Sequence, residues 1–197
     1  MLKRLLDILA SSVALILLFP LLFILGVAVA VTSPGGAFFR QVRVGKDGRE
    51  FALLKFRSMR PGSEAGGQIT VGTRDPRITG VGHFLRKTKL DELPQLINIL
   101  KGDMSVIGPR PEVPKYVALY SSEQRKVLSV RPGLSSLASI AYINENEVLG
   151  RSSDPERTYI EEVMPAKLEL DLRYVQEQGL VMDLRIIAST LARLIKG

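Results

Sequence analysis

Cysteine is absent from the 197 residues. Disulfides, a thiol nucleophile and cysteine-ligated zinc are thereby excluded. A single histidine, His83, rules out metal sites built from several imidazoles, and any Ser-His-Asp relay would depend on that one ring. It lies between Gly82 and Phe84 with no hydroxyl motif beside it, the setting of a structural histidine. Tryptophan is missing too, and the Phe and Tyr do not cluster into a platform for unstacked bases. No internal repeat and no Walker, GxGxxG or zinc fingerprint is present. Chemistry is left to carboxylates, hydroxyls, Lys and Arg, and a hard metal ion.

Positive charge is present in excess, at a net +7. A polyanionic partner follows: nucleic acid, anionic lipid or a phosphorylated substrate. The length fits one domain, or one domain with an anchor. An uncharged run from Ile8 to Val31 is long enough to cross a bilayer, which takes about 20 residues. Nucleic acid would not explain that run, so none is expected as a partner. No small-residue cleavage site follows the run before Arg40, so it stays attached. Pro20 falls in its middle and removes a backbone hydrogen bond. Lys3 and Arg4 precede it; Arg40, Arg43 and Lys46 follow. Cations at both ends favour the cytoplasm for both. Periodicity leaves two forms open, a kinked span and a helix that breaks near Pro20 and returns to the same side.

Ser33-Pro34-Gly35-Gly36 ends this element. Phe38 to Val44 and Glu50 to Phe56 read as strands joined by a Gly45-Lys46-Asp47-Gly48 hairpin turn. Pro61 to Gly72 predicts a mobile loop, and Val81 to Leu90 a helical or extended segment. Val113 to Leu128 is broadly helical, Arg131-Pro132-Gly133 a tight turn, and Asn144 to Asp154 a polar loop. Two helices close the chain, about 165–178 and 182–196. In the last, Leu184, Ile187, Ala188, Leu191 and Ile195 form a stripe flanked by Arg185, Arg193 and Lys196. Such a stripe is more often core than a membrane-surface contact.

Between these segments lies Leu90-Asp91-Glu92-Leu93-Pro94-Gln95-Leu96. Its plain reading is a helix start, with Asp91 as cap and Leu93, Leu96, Ile97 and Leu100 as buried stripe. Yet Arg86, Lys87 and Lys89 precede the acids, Lys101 and Arg110 follow, and Lys55 and Arg57 end the second strand. Arginine matches phosphate oxygens in a forked geometry. A carboxylate attacking an anionic diphosphate needs such shielding. Asp91 and Glu92 could alternatively hold Mg²⁺, which takes one or two carboxylates plus substrate phosphates.

The segments Phe39-Arg40-Gln41-Val42-Arg43-Val44-Gly45, Lys55-Phe56-Arg57-Ser58-Met59, Asp75-Pro76-Arg77-Ile78-Thr79, Leu85-Arg86-Lys87, Leu90 to Leu96, Lys101-Gly102-Asp103-Met104-Ser105, Gly108-Pro109-Arg110-Pro111 and Arg131-Pro132-Gly133 together resemble the bacterial sugar transferases. These are the monotopic polyprenyl-phosphate phosphoglycosyl transferases, and the length resembles their minimal catalytic form. The resemblance implies a ping-pong transfer of a phosphosugar from a UDP-sugar to undecaprenyl phosphate. Asp91 would be the nucleophile, UMP the first product, and Glu92 the partner in metal binding or as general base. Arg86 and Arg110 match positions near the phosphates, Lys55 and Arg57 the basic pair at the strand end, and Arg131-Pro132-Gly133 the nucleotide-sugar region. Mg²⁺ is the implied cofactor and membrane lipid an implied partner. The implied location is the cytoplasmic face of the bacterial inner membrane.

The resemblance also favours the re-entrant form of the apolar run. The expected fold is α/β, mostly helical with a small β-hairpin. A helix-break-helix anchor over 1–34 would carry a compact cytoplasmic catalytic domain, 35–197, with interfacial amphipathic helices. Phe19 stands where many relatives carry Ser before the proline, and Leu134-Ser135-Ser136-Leu137 replaces the common Ile-Thr-Gly-Leu. The stretch from Ala138 to Val148 is also atypical and is read either as sugar selection or as drift in a packing segment. A competing reading is a non-enzymatic, membrane-anchored scaffold that holds anionic lipid or a partner. The density of cations around one acidic pair speaks against it. Sugar identity and oligomeric state are left open.

Overall fold

The computed structural model of the protein describes residues 2–63, 67, 69–72 and 75–196. Residues 64–66 and 68 of the loop expected over 61–72 thus lie outside the described residues. Helix α1, Leu2–Thr32, is continuous through Pro20, so the break expected near Pro20 is not seen. Its most apolar stretch has a mean hydropathy of 3.0 and is only 11 % buried. Bare Leu, Ile and Phe side chains along a helix of that length suit a lipid environment.

One stripe of α1 nevertheless packs on the rest of the chain from end to end. Arg4 donates to the C-terminal carbonyls of helix α3, Gln95–Lys101, at Ile99 O (2.6 Å) and Leu100 O (3.0 Å). A buried Asp7 carboxylate accepts from Ser105 Oγ (3.1 Å) and Val106 N (3.0 Å). Farther along, Ala14 and Leu15 pack on Leu53, Leu96, Ile99 and Met104, and Leu25 and Val29 join Phe56 and Leu85.

Strands β1, Phe38–Val44, and β2, Glu50–Phe56, form the expected antiparallel hairpin, in register from Phe38 opposite Phe56 to Val44 opposite Glu50. Two strand-like runs of mixed apolar and charged residues around a Gly-bounded turn account for it. The far edge of β2 is met by a side chain rather than by a strand. Asn98 of α3, almost fully buried, accepts from Leu54 N (3.0 Å) and donates to Ala52 O (2.8 Å) and Asp103 Oδ2 (3.1 Å). Asn98→Ala is expected to lower stability by about 1–3 kcal/mol, because it removes three hydrogen bonds of a buried side chain and leaves Leu54 N and Ala52 O without that partner. Chemical denaturation of the detergent-solubilised protein checks this; a loss below about 0.5 kcal/mol, the range of an ordinary surface substitution, would show that β2 does not need the bracket.

The segment expected as helical or extended is helix α2, Gly80–Lys87, whose Thr79 side chain caps Gly82 N. Lys89 then takes a left-handed conformation, φ 58°, and a single 3₁₀ turn, Leu90–Glu92, carries the acidic pair. Asp91 is therefore not the cap of α3. Pro94 occupies that position, and the buried set is Gln95, Leu96, Asn98 and Ile99 rather than Ile97 and Leu100. The chain reverses at Lys89, which rotates the register of the following helix away from the expected stripe.

Strand β3, Ser105–Ile107, pairs in parallel with β4, Gly133–Ser135, so Arg131-Pro132-Gly133 feeds a strand rather than closing a tight turn. A Cβ on Gly133 would lie 2.1 Å from Gly108 N, and one on Gly108 would lie 2.4 Å from Arg131 O. Only glycine permits that crossing. The long helix expected over 113–128 is a short α4, Pro114–Val117, and a 3₁₀ segment, Gln124–Ser129. Between them Ser121 and Gln124 cap each other: Ser121 N donates to Gln124 Oε1 and Gln124 N to Ser121 Oγ. That reciprocal cap starts a new turn. The polar loop expected over 144–154 contains helix α6, Glu145–Gly150, preceded by α5, Leu137–Ala141.

Helix α7, Pro155–Thr158, runs through a π-turn, Tyr159–Val163, into α8, Met164–Glu177. Helix α9, Leu180–Lys196, ends the chain. Val44, Val113, Tyr116, Val117, Leu149, Tyr159 and Leu168 form the main core. Lys3 (2.5 Å) and Tyr174 (2.7 Å) both donate to Asp183, which ties α9 to α1 and α8. The stripe expected to be core on α9 faces outward at Leu184 and Leu191, which are 56 % and 55 % exposed. Ile186 is the buried residue instead. The side chain of Ile195 lies outside the described residues.

Candidate active site

The 3₁₀ turn brings Asp91 and Glu92 to the wall of a cavity of about 550 Å³. Lys55, Arg57, Arg86, Lys89 and Arg110 line the same space. The structure thus gathers these five cations, from β2 and the residue after it, from α2 and the turn that follows it, and from the segment after β3, around the two acids.

The two carboxylates have different surroundings. Glu92 Oε1 accepts from Lys55 Nζ (2.9 Å) and Arg110 Nη2 (2.6 Å), while Arg110 Nη1 lies 3.4 Å from Oε2. Burial opposes ionisation of Glu92, but Arg110 and Lys55 outweigh it and hold the carboxyl well below its ordinary range. Asp91 is 5 % exposed and accepts no side-chain hydrogen bond among the described residues. Burial raises its pKa, Glu92 adds to the rise, and Lys55, Arg86 and Lys89 pull the other way. Glu92 is therefore a fixed counter-ion, whereas Asp91 is an aimed and unspent carboxylate. That difference is the chemical content of the pair.

Arg86 reaches the cavity from α2 and donates to Thr70 Oγ1 (2.7 Å), with Ser58 Oγ 3.5 Å away. Arg57 is less available than its position suggests. It donates to Gly36 O (3.2 Å) and Phe38 O (2.8 Å) and lies over the Phe39 ring. Arg131, Pro132 and Gly133 do not line the cavity; Arg131 donates to Gly102 O at 2.8 Å, and the neighbouring Leu134, Ser135 and Ala138 reach it instead. Arg77 draws in the described part of the 61–72 loop. It pairs with Asp75 (2.7 Å) and donates to Gly67 O (2.8 Å) and Ile69 O (2.7 Å).

Several residues of the cavity had no assigned role in the sequence. Arg43 donates to Gln41 Oε1 (2.7 Å), Pro111 O (2.9 Å) and Glu112 Oε1 (3.0 Å). Tyr159, at the start of the π-turn, donates to Glu112 Oε2. These bonds hold Pro111 and Glu112, which directly follow Arg110 in the chain. The Arg43 position was visible in its motif, but nothing local pairs it with Glu112, about 70 residues away.

Asp171 of α8 is the other unassigned acid. Its Oδ2 accepts from Arg110 N (3.3 Å), and Oδ1 has no partner among the described residues. Burial pushes its pKa up to about 7. An unfolded aspartate titrates near ~3.9, so this residue is protonated in both states below about pH 4 and costs folding energy progressively up to about pH 7. Asp171→Asn keeps the acceptor for Arg110 N and removes the titration. Stability of the variant is expected to exceed the wild type by about 2–4 kcal/mol at pH 8 and to match it near pH 4, read by denaturant unfolding at the two pH values.

For Mg²⁺ the donor set is sufficient but small. Among the described residues no group of three or more His, Asp or Glu could cage a metal. Asp91 is free, and Glu92 Oε2 carries only the long Arg110 contact. Two carboxylates completed by substrate phosphates and water suit Mg²⁺, which keeps much of its hydration and seldom uses an all-protein cage.

Known proteins match the chain over nearly its whole length. It is 38 % identical to the UDP-N-acetylgalactosamine-undecaprenyl-phosphate N-acetylgalactosaminephosphotransferase of Aeromonas hydrophila, over 99 % of this chain and 44 % of that protein. It is 40 % identical to the UDP-glucose:undecaprenyl-phosphate glucose-1-phosphate transferase of Klebsiella pneumoniae, over 95 % of this chain and 39 % of that protein. The exopolysaccharide production protein PSS of Rhizobium leguminosarum bv. phaseoli is 37 % identical, over 96 % of this chain and 92 % of its own length. The chain thus spans less than half of the first two relatives. The family model for bacterial sugar transferases matches residues 1–197, and with the acidic pair, the cation cradle and these relatives in agreement, the chain belongs to the bacterial sugar transferase family.

Proposed function

We propose that the protein transfers a sugar 1-phosphate from a UDP-sugar to undecaprenyl phosphate through a covalent intermediate on Asp91. The observation that carries this reading is the asymmetry of the pair: Glu92 is held by Lys55 and Arg110, while Asp91 has no side-chain partner among the described residues. In the first step an Asp91 Oδ attacks the β-phosphorus. The bond from that phosphorus to the bridging oxygen breaks, and UMP leaves with the oxygen and its electron pair. In the second step an oxygen of undecaprenyl phosphate attacks the same phosphorus, the acyl-phosphate bond breaks, and the carboxylate is restored.

Arg86, Lys89 and Arg110 shield the charge that accumulates on the equatorial oxygens. Glu92 keeps Lys55 and Arg110 at fixed positions around it. Mg²⁺, held by Asp91 and Glu92 Oε2 together with the diphosphate, would neutralise further charge. The names of the relatives support the donor and acceptor classes, since those proteins use UDP-glucose or UDP-N-acetylgalactosamine and undecaprenyl phosphate.

The protein works at the cytoplasmic face of the membrane, with both ends of α1 on that side. Contacts of Arg4 and Asp7 near one end, and of Leu25 and Val29 near the other, with the same folded body support this placement. So do the cations on either flank. Tags near the N-terminus and after Ser33 should be reached from the same side of sealed vesicles; labelling from opposite sides would exclude this placement.

The deciding experiment is incubation of purified protein with UDP-glucose or UDP-N-acetylgalactosamine and Mg²⁺, without lipid. Stoichiometric UMP release and a phosphosugar adduct on intact protein are expected. Salt-sensitive liposome binding with no nucleotide product from any UDP-sugar would favour the scaffold reading.

A further inference from the structure

We infer that the arm of the cavity between α5 and α9 is the binding site for the first isoprene units of the lipid acceptor, an inference that rests on the proposed phosphosugar transfer. The cavity lining is chemically uneven. Gln41, Arg43, Glu112, Glu145, Tyr159 and Lys167 supply polar and charged groups. Leu134 of β4, Ile140 of α5, and Ile187 and Leu191 of α9 supply apolar ones; Ile140 and Ile187 pack in one cluster, and Ser135 meets Thr190 across β4 and α9, so these residues form a second arm.

Those two hydroxyls do not make the second arm polar. Ser135 Oγ and Thr190 Oγ1 bond each other at 2.7 Å, and Thr190 Oγ1 also donates to Ile186 O at 2.8 Å. Both hydroxyl protons are thereby used within the protein, so a sugar or a uracil placed there would lose its water and gain few partners, a cost that apolar carbon does not incur. Hydrocarbon is the ligand such a lining accommodates.

The arm is also open in the right direction. Leu191 lines the cavity and is 55 % exposed, so it forms the lip. Outside the lip, Leu180, Val181 and Leu184 continue an exposed apolar face along α9. A polyprenyl chain lying on that face would pass over Leu191 into the arm, with Arg193 of the same helix beside the entrance. Its phosphate would then enter the space shared with Asp91 and Arg110. The donor and the acceptor would thus approach one aspartate from opposite arms, and the acceptor enters after UMP has left.

The test separates donor and acceptor steps. Wild type, Ile187→Asn and Leu191→Gln are compared in detergent micelles, the second variant at an exposed position where folding is spared. UMP release without acceptor is measured first, with whichever of UDP-glucose and UDP-N-acetylgalactosamine is used. Turnover is then measured against undecaprenyl phosphate and against geranyl phosphate, a soluble acceptor of two isoprene units.

In both variants the KM for each acceptor is expected to rise about tenfold or more, with kcat and the acceptor-free burst of UMP within about twofold of wild type. Unchanged acceptor KM values overturn the assignment. A burst that falls as far as turnover does would give the arm to the donor. An effect on undecaprenyl phosphate but not on geranyl phosphate would place the residues on the membrane surface rather than in the site. Absence of the burst in wild type would instead remove the covalent reaction itself, and the inference with it.

Discussion

Asp91→Asn is expected to abolish UMP release from a UDP-sugar, by at least about a thousandfold, and to leave the intact-protein mass unchanged after donor incubation. The amide fills the same volume, so the 3₁₀ turn should keep its shape, but it cannot attack phosphorus. Glu92 cannot take over. Its Oε1 is bonded to two cations, and those bonds hold its basicity below that of a free carboxylate. Burial acts on Asp91 in the opposite sense and raises its basicity. A less hydrated, more basic carboxylate is the better nucleophile. One consequence is a pH profile for UMP release that falls on the acid side at a pH above the ordinary aspartate range. Measurable burst release by Asp91→Asn, or an adduct mapped to another side chain, would defeat the assignment.

Some parts of this molecule can be read locally and others cannot. The hairpin follows from two strand-like runs around Gly45-Lys46-Asp47-Gly48, and α1 from a long uncharged run, though its continuity through Pro20 departs from the expected break; both signals lie within one element. The cradle was legible because its motifs carry the right residue types in order, even though Lys55 and Glu92 meet across 37 positions. Asn98 was not legible. A polar residue in an apolar helix looks like a surface position, and only the finished packing shows it standing in for a strand beside β2. The outward stripe on α9 fails for a related reason. Periodicity reports that a face is apolar, not which medium covers it. Arg57 and Arg131 illustrate the converse: residue type alone does not show that each donates to a backbone carbonyl.

Arg110→Ala is expected to lower acceptor-free UMP release by about a hundred- to a thousandfold, the range seen when one preorganised charge-stabilising donor is removed. Two losses combine. The cavity loses a guanidinium suited to forked recognition of phosphate. Glu92 also loses the nearer of its two cations, at 2.6 Å, and Lys55 at 2.9 Å is left to balance it alone. Breaking a wholly buried pair costs about 3–5 kcal/mol, but Lys55 stays in place and the Arg110 side chain is a third exposed, so about 1–2 kcal/mol of stability is expected to go. Arg110→Lys should recover most of that stability and little of the rate, since an ammonium restores the charge without the two parallel N–H bonds. The two readouts therefore separate the roles. Equal recovery of both by lysine would mean that Arg110 serves only as a counter-ion for Glu92. Recovery of stability alone would assign its second N–H to the transferring phosphoryl group. In the variants with a weakened counter-ion, the Glu92 carboxyl regains basicity, so any residual activity should also change its acid limb relative to wild type.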